Sequence, residues 1–168
     1  GFGLALGDTL LGDAEAFDRA GSPLALVIAP TRELALQVKR ELEWLYAEAG
    51  VVMASCVGGM DMRDERRALA RGAHIVVATP GRLQQLLDTG ELRLDDVRML
   101  VFDEADQMLD AGFLPVARRI LGECPRHVQL AMFSATLPQS LEAVISDLYV
   151  RVPLRVRTKG SNRVVATL

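Results

Sequence analysis

Five short apolar runs recur along the chain, each bounded by polar or turn residues: LALVIA (24–29), VVMASCV (51–57), HIVVA (74–78), VRMLVF (97–102) and VQLAMF (128–133). They have the length of strands, and their apolar character is nearly continuous, as expected of strands buried on both faces. Between them the apolar positions change to a helical period, over 31–50, 61–72, 81–90, 113–124 and 138–150. Gly50, Gly72 and Gly90 fall where glycines end helices. Alternating strand and helix predicts an α/β domain: a mainly parallel sheet with helices on both faces. The Leu-rich helix around Trp44, and Trp44 itself, are expected in the core. A last strand is expected at 154–158, and the polar Lys-Gly-Ser-Asn stretch that follows predicts a domain boundary near 159, with 159–168 opening a linker.

Composition narrows the function classes. The 168 residues are half hydrophobic and 24% charged, which suits one soluble domain with a proper core. No apolar stretch is long enough to cross a bilayer, and the N-terminus lacks the basic flank and cleavage site of a signal peptide, so a cytoplasmic protein is expected. A net charge of −3 excludes a general basic coat, and any nucleic-acid contact must come from placed groups. Cys56 and Cys124 lack Cys or His neighbours at metal-ligand spacing and are expected to be free thiols. His74 and His127 each open a strand alone and are given no catalytic role. Arg63, Arg66, Arg67 and Arg71 share a helix face, but interleaved Asp61, Asp64 and Glu65 make it a solvated, salt-bridged surface.

In a parallel sheet all strands finish on one edge, where ligands bind. The five strand ends continue as PTREL (30–34), GG (58–59), TPGR (79–82), DEAD (103–106) and SAT (134–136). Two explanations stand for the acids: Asp103 caps a helix whose dipole favours Glu104 and Asp106, or Asp103 holds Mg²⁺ and Glu104 orients an attacking water. Likewise Thr31 and Thr79 are caps and Pro80 a first-turn proline, or Arg32 and Arg82 add phosphate forks to helix N-termini. Gly58 and Gly59 would let a backbone approach closely. Ser134 and Thr136 would hydrogen-bond the acidic cluster, Asp106 in particular, or Thr136 merely caps the next helix.

In this order and at these intervals, the five segments resemble the first RecA-like domain of DEAD-box ATP-dependent RNA helicases. DEADQMLDAGF (103–113) and MFSATLP (132–138) extend the likeness, which covers residues 1–158 as one partial domain. The resemblance implies a RecA-like fold of the P-loop NTPase type, three-layered α/β/α, in a protein that couples ATP hydrolysis to local unwinding or remodelling of RNA. It implies ATP and Mg²⁺ as cofactors, with Asp103 and Glu104 serving the metal and hydrolysis. Asp106, Ser134 and Thr136 would couple the nucleotide to unwinding, and Pro30, Thr31, Arg32, Gly58, Gly59, Thr79, Pro80, Gly81 and Arg82 would line the RNA path. A second RecA-like domain of the same protein is the implied partner. The alternative is a non-catalytic RNA- or protein-binding RecA-like module; a DNA-directed helicase fits DEAD and SAT less well.

One family feature is missing. The phosphate-cradling G-x-x-x-x-G-K-[ST] loop requires a Gly-Lys pair, and the chain contains none. In the family, a helix like FGLALGDTLL (2–11) follows that loop. The chain is therefore expected to be truncated at its N-terminus, inactive toward ATP by itself, and open at a sheet edge that a homodimer or domain swap would cover.

Overall fold

The computed structural model describes residues 22–59, 61–136, 139, 143, 155–159 and 163–167. The expected apolar runs form β1 (Ala25–Ile28), β2 (Met53–Cys56), β3 (Ile75–Ala78), β4 (Met99–Phe102) and β5 (Gln129–Ser134). Between them lie α1 (Arg32–Leu45), α2 (Met62–Arg71), α3 (Pro80–Asp88), α4 (Ala105–Asp110) and α5 (Leu114–Glu123). Two further strands follow, β6 (Arg155–Lys159) and β7 (Arg163–Thr167). The sheet order is β2-β3-β1-β4-β5-β7-β6. The first five strands pair in parallel, which gives the α/β sheet with interleaved helices of a RecA-like domain.

Two of the helices carry side-chain caps at their starts. The Thr31 hydroxyl accepts the Leu34 N–H at 3.2 Å and opens α1. The Asp61 carboxylate accepts the Arg63 N–H at 2.9 Å and opens α2, which ends at Gly72 with φ +96°. Alternate residues of the strands feed two cores. Leu26, Ile28, Val76, Ala78, Leu100, Phe102, Leu130 and Met132 pack against α2 to α5. Ala25, Val27, Ile75, Val77, Met99, Val101, Ala131 and Phe133 pack against Ala35, Val38, Leu42 and Tyr46 of the α1 segment. Both faces of the sheet are thus covered, which is why these strands carry almost no polar positions.

The structure departs from expectation at two places. Trp44, expected in the core, is 81% exposed. The buried stripe of α1 runs through 35, 38, 42 and 46, and Trp44 lies two residues, about 200° around the helix, from Leu42. Residues 163–167, expected in a linker, form β7 and pair antiparallel with Ala131–Ser134 of β5. An open β5 edge would leave a row of backbone groups unpaired, and β7 fills it within the same chain. The expected helices at 2–11 and 138–150 lie outside the described residues, apart from residues 139 and 143.

Candidate functional site

Sheet register brings the five strand ends to one line. Ile28 is level with Ala78 on one side and Phe102 on the other. Ala78 is level with Cys56, and Phe102 with Met132. The segments that follow therefore emerge side by side, in the spatial order GG, TPGR, PTREL, DEAD, SAT. The acids and hydroxyls occupy one half of the edge, and the glycines and arginines the other.

In the acidic half, Asp103 is 5% exposed at the end of β4, and its carboxylate accepts the Glu104 N–H at 3.1 Å. Its own N–H donates to the Ile28 carbonyl at 2.8 Å, which fixes it to the neighbouring strand. Glu104 takes the left-handed conformation, φ 53° and ψ 49°, and stands at the N-cap position of α4 without a side-chain capping bond. For a residue with a Cβ that geometry costs about 1–2 kcal/mol. A mere helix start does not require it, and strain of this kind concentrates at functional sites.

Asp106 is held from β5. The Thr136 hydroxyl donates to its carboxylate at 2.9 Å, and its N–H donates to the Ser134 hydroxyl at 3.2 Å. Burial alone would raise the Asp106 pKa, but the hydrogen bonds from Thr136 and the Gln107 N–H, with Ser134, outweigh it and hold the carboxyl below its usual range. Among the described residues no three His, Cys, Asp or Glu side chains converge as a metal cage. Two adjacent carboxylates nonetheless fit Mg²⁺, which keeps several waters and takes its other oxygens from substrate phosphates.

In the other half, Thr31 and Arg32 are exposed at the start of α1, and Gly59 and Gly81 are exposed beside them; Pro30, Gly58, Thr79 and Pro80 are half-buried. Gly58 and Gly59 both have positive φ, +69° and +66°. A Cβ on Gly59 would stand 2.8 Å from the Arg32 Nη1, so the guanidinium lies directly against the GG turn. Thr79 does not cap α3 with its side chain; its hydroxyl instead donates to the Val57 carbonyl at 3.3 Å, tying TPGR to the residue before GG. Gly59→Ala should lower the unfolding free energy by about 1 kcal/mol, the left-handed penalty less the entropy removed from the unfolded chain. An unchanged urea midpoint would contradict that geometry.

Arg82 is the exception among the sequence-derived residues. It is 6% exposed, and its Nε faces the Glu65 carboxylate at 3.5 Å. Glu65, expected on the solvated face of α2, is instead 5% exposed. Its signal was present in the sequence: Glu65 shares a helical stripe with Ala68 and Leu69, which pack on the core. The α2 arginines behave as expected, with Arg66 bound to Glu91 at 3.0 Å and Arg63, Arg67 and Arg71 exposed. Cys56 and Cys124 are free thiols, each pushed up to about 12, by burial first. His74 is structural: buried, it accepts the Val52 N–H on Nδ1 at 2.9 Å. No helix among the described residues is long and apolar enough to cross a membrane.

Known proteins are similar to this chain in sequence. Eukaryotic initiation factor 4A of Zea mays is 43% identical over 136 residues, 80% of this chain and 33% of the relative. Eukaryotic initiation factor 4A-3 of Arabidopsis thaliana is 43% identical over 136 residues, 80% of this chain and 32% of the relative. The ATP-dependent RNA helicase eIF4A of Eremothecium gossypii is 38% identical over 138 residues, 82% of this chain and 35% of the relative. The chain thus spans about a third of the length of these relatives. Residues 4–144 match the model of the DEAD/DEAH box helicases, and with the five strand-end segments inside that span, the chain belongs to the DEAD/DEAH box helicase family.

Proposed function

We propose that this chain is the first RecA-like domain of an ATP-dependent RNA helicase, which couples ATP hydrolysis to local remodelling of RNA. The observation that carries this is the shared sheet edge, where an acidic half linked to SAT adjoins a half built of glycines, threonines and Arg32. Asp103 and Glu104 would hold Mg²⁺ largely through water, and the metal would supply charge neutralisation on the phosphates. Glu104 would orient a water for in-line attack on the γ-phosphorus and accept its proton, while the bond to the ADP oxygen breaks. Asp106, tied to Ser134 and Thr136, would carry a shift at the nucleotide to the end of β5. Arg32 and the backbone around Gly58, Gly59, Thr79, Pro80 and Gly81 would grip a phosphate backbone without reading sequence.

On this reading the protein works in the cytoplasm, with a second RecA-like domain closing over ATP and RNA from the other side. The test is phosphate release by the full-length protein with and without single-stranded RNA. Stimulation of turnover by RNA is the expected result. RNA binding with turnover at background would instead make the domain a non-catalytic RNA-binding module.

A further inference from the structure

The strand-end edge carries two arginines, each in the first turn of a helix, and the structure treats them in opposite ways. Arg32 is exposed against Gly59. Arg82 is buried: its Nε faces Glu65 Oε1 at 3.5 Å, and its Nη1 donates to Gln85 Oε1 at 3.1 Å. A guanidinium so enclosed has no fork to offer a phosphate on the solvent side.

Stability does not explain the pair. Taking two charges out of water costs several kcal/mol each, recovered only when geometry is excellent and every remaining hydrogen-bonding position is filled. Here the Arg82 Nε and Nη2 make no hydrogen bond among the described residues, and Glu65 has only the weak donor of the Cys56 thiol beside it. Position explains it better. Glu65 lies on α2, the helix that follows the GG turn, and Arg82 lies in the first turn of α3, directly after β3. The pair ties these helices together beneath the two turns. Above it, the Thr79 N–H donates to the Cys56 carbonyl at 3.1 Å and the Thr79 hydroxyl to Val57, which ties the turns themselves. Cys56 beside the pair remains a neutral thiol and adds no third charge.

We propose that Glu65 and Arg82 are positioning residues for RNA: Glu65 withdraws Arg82 from phosphate contact, and the pair holds the GG and TPGR turns in one register, so that Gly58, Gly59, Thr79 and Gly81 meet a single strand of RNA together. This rests on the RNA-helicase function proposed above and deepens it.

The test is a double-mutant cycle in the full-length protein, with a fluorescently labelled single-stranded RNA followed by anisotropy at several salt concentrations. Glu65→Met and Arg82→Met should each weaken binding on the order of tenfold, because each leaves a lone buried charge that displaces the turns. The Met–Met double variant should return to within about threefold of the unsubstituted protein, since an apolar pair of similar volume replaces a buried ion pair at little cost. Its salt slope should also be unchanged. A double variant as weak as Arg82→Met, with the slope of log K on log salt shallower by about 0.7, would overturn the proposal and assign Arg82 to a phosphate. If the single variants do not fold, the double variant and the unsubstituted protein decide between these outcomes by themselves. No binding by the unsubstituted protein would overturn the RNA function, and this inference with it, before any variant is compared.

Discussion

Glu104→Gln in the full-length protein is expected to lower RNA-stimulated ATP turnover by about 10²–10⁴-fold, the usual contribution of a positioned general base. The amide keeps the volume of the carboxylate and removes only its basicity. Binding of a non-hydrolysable ATP analogue should be nearly unchanged, because Asp103 remains to hold the metal. Folding should survive as well, since Glu104 makes no side-chain cap and any residue with a Cβ meets the same backbone penalty at φ 53°. Phosphate release and analogue binding, measured on the same preparation, separate chemistry from affinity. Turnover within about tenfold of the parent would fall below the range for a general base and return the acids to a structural part.

The second large effect lies two residues earlier. Phe102→Ala should lower the unfolding free energy by about 3–5 kcal/mol. Phe102 is 1% exposed and level with Ile28 and Met132 on the flanking strands. Its ring meets Phe113 edge-on at 5.6 Å, an arrangement worth about 0.5–1.5 kcal/mol beyond the buried area. Domains of this kind are stable by only about 5–15 kcal/mol in all, so the loss would be a large part of the total. Because Phe102 directly precedes Asp103, the cavity also loosens the strand end on which the carboxylates stand. Urea unfolding measures the first effect; a loss under about 1 kcal/mol would mean that the neighbours collapse into the space, unlike well-packed cores.

Both predictions depend on the same design. The sheet centre is apolar and dry, and the polar residues emerge together where the strands stop. β1 stands between the two halves of the edge: PTREL leaves it toward Arg32 and the GG turn, while the Asp103 N–H is bound to its Ile28 carbonyl. The acidic loop is thereby joined through the backbone to the half that carries Arg32 and the glycines.

The sequence by itself determined the elements and their chemistry. Near-continuous apolar runs of strand length can only be buried on both faces, so the parallel sheet, its helical cover and the shared strand-end edge were all legible. The contact of Ser134 and Thr136 with Asp106 was legible on the condition that the SAT strand lies beside the DEAD strand, and the sheet order met that condition. Tertiary structure alone decided matters that depend on which face or which partner a side chain meets. Trp44 lost its place in the core because the α1 stripe turned it to solvent. Arg82, a charged residue that local pattern assigns to water, was buried against Glu65 because α2 and α3 pack on the same face of the sheet. Residues 163–167 became a strand because β5 offered an unpaired edge. Local sequence carries period and propensity; burial and pairing arise only when segments distant in the chain are brought together.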